Sequence, residues 1–321
     1  MDKRTFEQAF NAVFHDQSAF TDFCDFIIEK EIETFEIGGR KVFRTSTNER
    51  LKAYLRFIDR VILRHLFKDE DVVHSFIKGK SALTAVQSHA NSKYFFLTDI
   101  KDFFPSINSS DVKRVLERDV ERIPIIDLGN YIDHVVKITT VGGSIPVGFS
   151  TSPRLSNAYL YDFDQALKLF CQERNLIYTR YVDDIIISGN SYDQLSSLKH
   201  IVQDLLVRHG SPNLKLKESK THITKLGNKV KILGLVVLPN GHITIDGKYK
   251  KRIELLLHFY STDKDKYEDY LNKEFGGSEH SLFGLLHYAR SVDPHYLEKI
   301  QRKYGFFSLK TLMEDKWNDQ R

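Results

Sequence analysis

Short apolar runs that end in aspartates are the main feature of the hydrophobic pattern of this chain. Residues 94–97 are apolar and lead into Asp99, and apolar runs on both sides flank the pair Asp183 and Asp184. Runs of this length predict strands, and two strands with so short a connection predict a hairpin that carries carboxylates at its tip. Because a buried carboxylate without a partner is costly, these aspartates are predicted to be hydrogen-bonded, ion-paired or bound to a metal ion.

The rest of the pattern predicts an α+β chain. Apolar residues at a period of 3.6 predict helices, and glycine and proline mark the turns between elements. The predicted elements are aromatic-rich helices over residues 5–33, a hairpin that turns at Gly38 and Gly39 into a strand over 40–44, an amphipathic helix over 51–67, a helix from Ser152 and Pro153 through Leu169, two strands at 235–238 and 242–245 joined by a tight turn at 239–241, and helices after 248.

The composition is that of a globular intracellular protein. The chain has 321 residues, of which 41% are hydrophobic and 28% are charged, enough for two or three packed subdomains. It contains no apolar run of about eighteen residues and no charged-then-apolar leader, so we expect no membrane span, no secretory signal and a cytoplasmic location. Its two cysteines, Cys24 and Cys171, do not form a zinc motif and are predicted to be reduced, packed thiols.

Basic residues are distributed unevenly along the chain, although the net charge is only +4. Residues 215–252, which we call the basic belt, carry ten Lys or Arg against two acids, a net charge of +8. A one-sided basic segment binds phosphate backbones without reading bases, and it does so in a salt-dependent way. The basic belt is therefore a candidate nucleic-acid contact, with a solvated charged face as the alternative.

The aspartates come from strands far apart in sequence, and together they predict a two-metal site. Carboxylate oxygens are the protein ligands that Mg²⁺ takes, usually together with water and substrate phosphates. Two such ions hold the attacking and leaving oxygens of an in-line phosphoryl displacement. Successive strand side chains point to opposite faces, so Asp183 is the first choice of its pair and Asp184 its support. Asp102 either touches the site or caps the following turn.

Six short blocks occur in an order that resembles the reverse transcriptases of bacterial retrons and related defence systems. They are a fingers block at 74–81, Asp99 with Phe104 five residues later, a turn and helix at 145–157, the Tyr-Val-Asp-Asp tetrad at 181–184, a block at 217–221 and a primer-grip block at 232–237. The resemblance implies a right-hand polymerase fold. Its parts would be N-terminal helices and fingers in 1–92, an antiparallel-sheet palm with the YVDD hairpin in 93–247, an interleaved fingers segment at about 109–140, and a small helical thumb in 248–321.

The resemblance also implies roles for individual residues. Catalysis and metal binding would fall to Asp99, Asp183 and Asp184, with Ile100 among the metal ligands; the nucleotide would lie against Phe104, Gly148 and Phe149; Arg40, Lys41 and Lys220 would contact the triphosphate or the departing pyrophosphate; and Leu233 and Gly234 would form the primer grip. The ring of Phe104 would leave no room for a 2′-hydroxyl, which predicts deoxynucleotide substrates. Gly148 would let the backbone approach a ligand closely.

Two positions depart from the pattern of these enzymes. Val147 stands where many of them have a glutamine that contributes a hydrogen bond to the nucleotide pocket. Ile232, Leu233 and Gly234 stand where retron enzymes usually have valine, threonine and glycine. Together these two departures shift the resemblance from a typical retron enzyme toward the broader defence-associated group.

The implied function is RNA-directed DNA synthesis with two Mg²⁺ ions, or with Mn²⁺ in their place. The expected partners are a structured non-coding RNA as template, deoxynucleoside triphosphates, the cDNA product and an effector protein, in bacterial defence against phage. Two other functions stay open. One is template-independent or protein-primed DNA synthesis by the same fold, for which Val147 leaves room. The other is an RNA-binding scaffold for an effector, against which the intact Asp99 and Asp183 count.

Overall fold

The chain forms two compact units. The computed structural model describes residues 3–15, 17–28, 31–37, 40–45, 49–275 and 279–304, and for 37, 40, 41, 44, 275 and 279–283 it describes the backbone alone. The first unit contains Met1–Ser81 and Tyr94–Ile223, and the second contains Ala82–Lys93 and Thr224–Arg321. Within the described ranges, every helix is too short or too polar to cross a membrane. The predicted division into fingers, palm and thumb, with boundaries at 92 and 247, stays a prediction. The two compact units separate at other positions, after Ser81, Lys93 and Ile223.

The chain contains both helices and strands, as the α+β prediction requires. In chain order they are α1 (Phe6–Phe14), α2 (Phe20–Cys24), β1 (Glu33–Ile37), β2 (Arg40–Arg44), α3 (Glu49–Val61), α4 (Ala82–Ser88), β3 (Tyr94–Asp99), α5 (Phe103–Ser106), α6 (Ser109–Asp119), α7 (Ile132–Thr139), α8 (Ser152–Tyr159), α9 (Tyr161–Glu173), β4 (Ile177–Tyr181), β5 (Asp184–Gly189), α10 (Asp193–Ser196), α11 (Leu198–His209), β6 (His222–Lys225), β7 (Val230–Ile232), β8 (Leu235–Val237), β9 (Ile243–Ile245), α12 (Gly247–Thr262), α13 (Lys264–Phe275), α14 (Glu279–Val292) and α15 (Pro294–Tyr304).

Strands β4, β5 and β3 lie in the first unit and are neighbours in a four-stranded sheet with the order β4-β5-β3-β6. Strand β5 pairs antiparallel with β4 on one side and with β3 on the other. Its residues Ile185, Ile186 and Ile187 are all buried, so this strand is covered on both faces. A strand covered on both faces reads as a continuous apolar run, which is why the hydrophobic pattern located it.

Aromatic side chains pack the N-terminal part of the first unit. Helix α1 begins after a capping box in which Thr5 and Gln8 satisfy each other's backbone amides. The ring of Phe57 contacts those of Phe6 and Phe10 at centroid distances of 5.6 and 5.3 Å, and all three are fully buried. The predicted aromatic-rich helices are therefore confirmed as α1 and α2, and β1 begins at the end of the predicted range.

The predicted hairpin near residue 40 is confirmed. Strands β1 and β2 pair antiparallel, with Phe35 opposite Val42. The amide of Phe43 donates a hydrogen bond to the backbone oxygen of Val147 at 3.0 Å, which ties β2 to the segment before α8. The predicted turn residues Gly38 and Gly39 lie outside the described residues.

Two predicted helices are longer than the helices in the structure. The helix predicted over 51–67 ends at Val61 and is followed by a 3₁₀ turn at Leu63–His65. Beyond this turn the amide of Phe67 donates to Asp119 at 2.8 Å instead of to a helical carbonyl. The helix predicted through Leu169 is split between α8 and α9. At this break, Arg118 donates to the backbone oxygen of Ala158 at 3.0 Å, an acceptor that a continuous helix would use itself.

The second unit combines a small sheet with helices. Strands β7, β8 and β9 form an antiparallel meander, and helix α4 packs against β8 and β9. The tight turn predicted at 239–241 joins β8 to β9, where Gly241 has a positive φ of 78° and donates to the oxygen of Leu238. The described residues after 247 are helical up to Tyr304 apart from short connections, as predicted.

Candidate active site

A two-residue hairpin turn carries the predicted aspartate pair. Tyr181 ends β4 opposite Asp184, which begins β5, so Val182 and Asp183 form the turn. Val182 has a φ of 59°. Turns of this kind favour glycine at a positive φ, and a β-branched residue there is strained. The tip of the hairpin is therefore held in a conformation that its own sequence does not prefer.

The hairpin brings all three predicted aspartates together. Asp184 lies directly opposite Asp99 in the ladder between β3 and β5. One carboxylate oxygen from each of Asp99, Asp183 and Asp184 lies within 4.8 Å of the others. The amide of Ile100 donates to the backbone oxygen of Asp183 at 3.0 Å, which fixes the turn against β3. Ile100 itself is buried, and its role as a metal ligand stays a prediction.

The charges of this cluster suit a cation. Burial, followed by the neighbouring Asp183 carboxylate, raises the pKa of Asp184 to about 6, and Asp99 adds to the shift. Asp99 is itself only 3% exposed. Three carboxylates this close repel one another, and oxygen ligands in such a cluster are the donor set that hard divalent cations take. The residues present therefore fit a divalent metal site.

Lys220 contacts the cluster directly. Its ammonium group forms an ion pair with Asp99, and this hydrogen bond raises the pKa of Lys220. The lysine reaches Asp99 from a 3₁₀ turn at Glu218–Lys220, beside a 2.7 Å contact between the hydroxyls of Thr98 and Thr221. The structure places Lys220 next to the aspartates, and its contact with pyrophosphate stays a prediction.

A cavity of about 410 Å³ contains three of the predicted nucleotide-binding residues. It is lined by Thr45, Lys52, Leu55, Arg56, Phe76, Phe104, Val147, Gly148, Phe149, Ser150, Ser152 and Pro153. We call it the nucleotide cavity. Phe104 is partly exposed toward it, whereas its neighbour Phe103 is buried in the core. Of these two neighbouring rings, the one predicted to meet the sugar lines the cavity, and the other packs in the interior.

Gly148 occupies a position that other residues would not tolerate. Its φ is 108°, and a Cβ there would overlap the backbone oxygen of Phe43. In the structure Gly148 thus brings its backbone close to β2, and its predicted close approach to a ligand stays a prediction. Helix α8 begins right after this segment with Ser152 and Pro153 in its first turn, as predicted.

Other predicted residues belong to other elements, or their side chains lie outside the described residues. Arg40 and Lys41 belong to β2, but their side chains lie outside the described residues. Leu233 and Gly234 form the turn between β7 and β8 in the second unit, with φ values of 50° and 79°. Two positive φ values mark the tight turn typical of antiparallel hairpins. The primer-grip role of this turn stays a prediction. Asp102 lies at the N-cap position of α5, but its side chain forms no capping hydrogen bond there.

Part of the basic belt is neutralised within the protein. Lys220 pairs with Asp99, Lys231 with Asp246, and Arg252 with Glu274. The belt also extends across both compact units. The charge available to a nucleic acid is therefore smaller than the count along the sequence indicates.

The comparison with protein families identifies the fold and the chemistry. Residues 39–237 match the family described as reverse transcriptase (RNA-dependent DNA polymerase). The chain belongs to the reverse transcriptase family. It is an RNA-directed DNA polymerase with the right-hand polymerase fold, as the sequence blocks predicted. Reverse transcriptases use divalent metal ions, which agrees with the aspartate cluster.

The similar curated proteins are retron enzymes. This reverse transcriptase is 30% identical over 284 residues to the retron Ec73 reverse transcriptase of Escherichia coli, a match that covers 83% of each chain. It is 24% identical over 269 residues to the retron Ec83 reverse transcriptase of the same species, with 82% of each chain covered. The reverse transcriptase is therefore of the bacterial retron type, despite the departure at 232–234.

Solved structures of telomerase also resemble this reverse transcriptase. A telomerase from Candida tropicalis, truncated from its C-terminal domain, matches with a TM-score of 0.47 and 15% identity over 67% of this chain. A telomerase from Candida albicans, solved with a fragment of telomeric RNA, matches with a TM-score of 0.42 and 13% identity over 84% of this chain. The reverse transcriptase spans 54% and 49% of these telomerase chains, about half their length.

Sequence reasoning missed several residues around the active site of the reverse transcriptase. Lys52 and Arg56 of α3 line the nucleotide cavity, although nothing in the pattern of α3 separates them from ordinary exposed charges. Arg180 is fully buried in β4, next to the catalytic turn. A signal for Arg180 was present, because a charge inside an apolar strand requires a partner, the same argument that located Asp99.

Proposed function

We propose that this reverse transcriptase copies a dedicated, structured non-coding RNA into cDNA, in the bacterial cytoplasm and as part of a defence against phage. The observation that carries the catalytic part is the cluster of Asp99, Asp183 and Asp184, whose oxygens lie within 4.8 Å of one another. The retron relatives support the dedicated RNA, because both of the relatives described above are named as the reverse transcriptase of a retron. An effector protein would complete the system.

The cluster would hold two Mg²⁺ ions, with Mn²⁺ as a substitute. When bound, the ions would lower the pKa of the primer 3′-hydroxyl and neutralise the triphosphate. The protein supplies the position: the register of β3 and β5 sets Asp99 against Asp184, and the hydrogen bond from Ile100 holds Asp183. Lys220 balances the charge of Asp99, so that this buried carboxylate is paired before any cation is present.

The nucleotide cavity would bind the incoming deoxynucleotide. Phe104 faces it with part of its ring and would exclude a 2′-hydroxyl, and Gly148 keeps the backbone beside β2. Lys52 and Arg56 line the same cavity and are the described cations best placed for phosphate oxygens, alongside the predicted Arg40 and Lys41. The primer would lie on the turn at Leu233 and Gly234.

The decisive experiment is purification of the protein from cells that carry its native flanking DNA, followed by sequencing of all bound nucleic acid with and without ribonuclease. Asp183→Ala is purified in parallel. A defined RNA with complementary DNA that is absent from the variant is the expected result. It would establish templated synthesis on a dedicated RNA.

Two other outcomes correspond to the alternatives. DNA that matches no co-purifying RNA would favour template-independent or protein-primed synthesis, for which Val147 in the nucleotide cavity is the supporting observation. RNA alone in both samples would favour a scaffold that holds RNA for an effector. The phage-defence role is tested separately, by infection of cells that express the wild-type protein or Asp183→Ala.

A further inference from the structure

Arg180 is a fully buried arginine that directly holds the catalytic turn. Its guanidinium donates to Asp164 through Nε at 2.8 Å and through Nη2 at 2.6 Å. The third nitrogen, Nη1, donates to the backbone oxygen of Val182 at 2.9 Å and to Asn157 at 3.2 Å. Both Arg180 and Asp164 are 0% exposed. The bidentate pair fixes the plane of the guanidinium and so aims Nη1 at the turn.

The opposite side of the turn is held by Ser75. The amide of Val182 donates to the hydroxyl oxygen of Ser75 at 2.9 Å, and the amide nitrogen of Asn157 donates to the backbone oxygen of Ser75 at 3.1 Å. Four residues thus form a closed ring of hydrogen bonds, in the order Arg180, Asn157, Ser75, Val182. Three of them are buried: Ser75 and Arg180 are 0% exposed, and Asn157 is 2% exposed.

The ring acts on the one residue of the turn whose backbone is strained. Val182 has a φ of 59°, a backbone conformation that strains a β-branched residue. Such a conformation persists only where its surroundings determine it, and here both backbone polar groups of Val182 are engaged by the ring. The next two residues are Asp183 and Asp184, so the turn conformation decides where their carboxylates point.

We propose that Ser75, Asn157 and Arg180, with Asp164 behind them, are positioning residues that hold the strained Val182 turn and thereby set the geometry of the carboxylate cluster. This inference rests on the proposed metal site and adds the residues that shape it. None of these four side chains belongs to the cluster that would contact the metal ions.

The test compares Ser75→Ala, which removes the acceptor for the Val182 amide, with Ser156→Ala as a matched control. Ser156 is also a completely buried serine of the first unit, and its hydroxyl bonds within α8. Mn²⁺ affinity is measured by electron paramagnetic resonance without nucleotide, and kcat and KM for dTTP are measured on poly(rA) with an oligo(dT) primer. We expect Ser75→Ala to weaken Mn²⁺ binding and to lower kcat, each about tenfold, with KM changed less than twofold. Ser156→Ala should change neither.

Asn157→Ser breaks the ring at its other side and serves as the second variant if Ser75→Ala melts below the assay temperature. Wild-type Mn²⁺ affinity in a folded ring variant would overturn the proposal, and so would an equal loss in Ser156→Ala. Because metal affinity is read without nucleotide, failure of the wild-type protein to extend a primer would count against the proposed function and leave this test unaffected.

A second pocket of the first unit carries unpaired positive charge. It has a volume of about 540 Å³ and is lined by Arg64, His65, Leu66, Phe67, Lys68, Glu70 and Arg122. We call it the Phe67 pocket. Its acid, Glu70, pairs with Lys68 at 3.0 Å. Within the described part of the chain, neither Arg64 nor Arg122 forms an ion pair with an acid.

Arg122 is oriented in advance within this pocket. Its guanidinium carbon lies 3.8 Å from the centre of the Phe67 ring, which in turn stacks on Tyr161 at 4.9 Å. Its Nε donates to the backbone oxygen of His65 at 3.1 Å. The two terminal nitrogens are left to donate to a ligand, and a fixed planar fork of two N–H groups matches a phosphate. Burial and then the neighbouring cations Arg64, Arg122 and Lys68 lower the pKa of His65, a sign of local positive potential.

We infer that the Phe67 pocket binds a backbone phosphate of the RNA partner, with Arg64 and Arg122 as its ligands. The inference rests on the proposed RNA partner and concerns a site that shares no residue with the nucleotide cavity or the aspartate cluster. Phosphate contacts of this kind dock an RNA without reading its sequence.

The test uses the double variant Arg64→Ala/Arg122→Ala, with Arg208→Ala as the control that removes an exposed arginine from α11. Binding of a fluorescent 24-nucleotide RNA hairpin is measured by anisotropy across a series of KCl concentrations. We expect about tenfold weaker binding and a salt slope that is smaller by about 2 for the double variant, with kcat on poly(rA) and oligo(dT) unchanged. Hairpin affinity equal to that of Arg208→Ala would overturn the inference. Displacement of the RNA hairpin by polyglutamate, added at the same concentration of negative charge, would also overturn the inference. It would indicate an acidic protein as the ligand of the pocket.

Discussion

Asp99 and Asp184 are cross-strand partners at the end of the ladder between β3 and β5. Like charges directly opposite each other destabilise a sheet, and here both belong to strands whose neighbouring residues are buried. The arrangement therefore lowers the stability of the metal-free protein. The same arrangement supplies a cation site, so stability and cation binding are coupled at this pair.

We expect Asp184→Asn to stabilise the metal-free protein. The substitution removes a partly buried charge that Asp183 and Asp99 repel, and after a discount for its solvent exposure the gain is about 1–2 kcal/mol. Thermal unfolding in EDTA should show a melting temperature a few degrees higher than that of the wild type. Mg²⁺ should then raise the melting temperature of the wild type more than that of the variant. A lower melting temperature in EDTA would contradict the repulsion argument.

The stability of the metal-free protein should rise as the pH falls through about 6. Asp184 has a raised pKa in the folded state, so the folded protein binds this proton more tightly than the unfolded chain does. Its destabilising effect is complete above about pH 6 and is relieved as the carboxyl is protonated below that value. The stabilisation by Mg²⁺ should shrink over the same pH range, because protonation competes with the cation. Melting curves from pH 7.5 to pH 5.5, with and without Mg²⁺, check both signs.

Phe104→Ala should relax the choice of sugar. Loss of the ring opens space beside the predicted sugar position, so the ratio of ribonucleotide to deoxynucleotide incorporation should rise about 10- to 200-fold, the range of a small steric contact. Single-nucleotide extension with UTP and dTTP on a poly(rA) template measures it. Phe104→Tyr keeps the ring and should keep the discrimination. An unchanged ratio in Phe104→Ala would place the sugar elsewhere.

Gly148→Ala should damage nucleotide binding. The new Cβ overlaps the backbone oxygen of Phe43 at a φ of 108°, so the segment must shift away from β2, at a cost of about 1–3 kcal/mol. We expect KM for dTTP to rise at least tenfold and the melting temperature to fall. Gly129→Ala is the matched control, because a Cβ at Gly129 has nothing within 4 Å. Equal effects of the two substitutions would show that the shift at 148 does not reach the nucleotide cavity.

The aspartate cluster was predictable because its residues violate the local pattern. Asp99, Asp183 and Asp184 interrupt apolar runs, and the hairpin between two such runs follows from spacing alone. The turn and helix start around Gly148 and Pro153 carry similar local signals. Family membership and fold class were likewise predictable, because the short blocks retain their order along the chain.

Features that depend on distant partners were not predictable. The chain after α3 leaves the predicted helix and its Phe67 amide bonds to the carboxylate of Asp119, and the break between α8 and α9 involves Arg118. No local signal reports such partners. Arg180 is an intermediate case: its burial in an apolar strand predicts some acid, but only the fold shows that the acid is Asp164 and that the remaining nitrogen reaches Val182.

Helix α4 belongs to the second unit although its neighbours in sequence on both sides belong to the first. Its buried residues Ala85 and Val86 lie in a helix that packs on β8 and β9, strands that follow far along the chain. At typical rates of translation, α4 leaves the ribosome on the order of ten seconds before those strands exist. All residues of the first unit have therefore been synthesised before the strands that bury Ala85 and Val86 exist, so α4 can reach its final packing only late in synthesis.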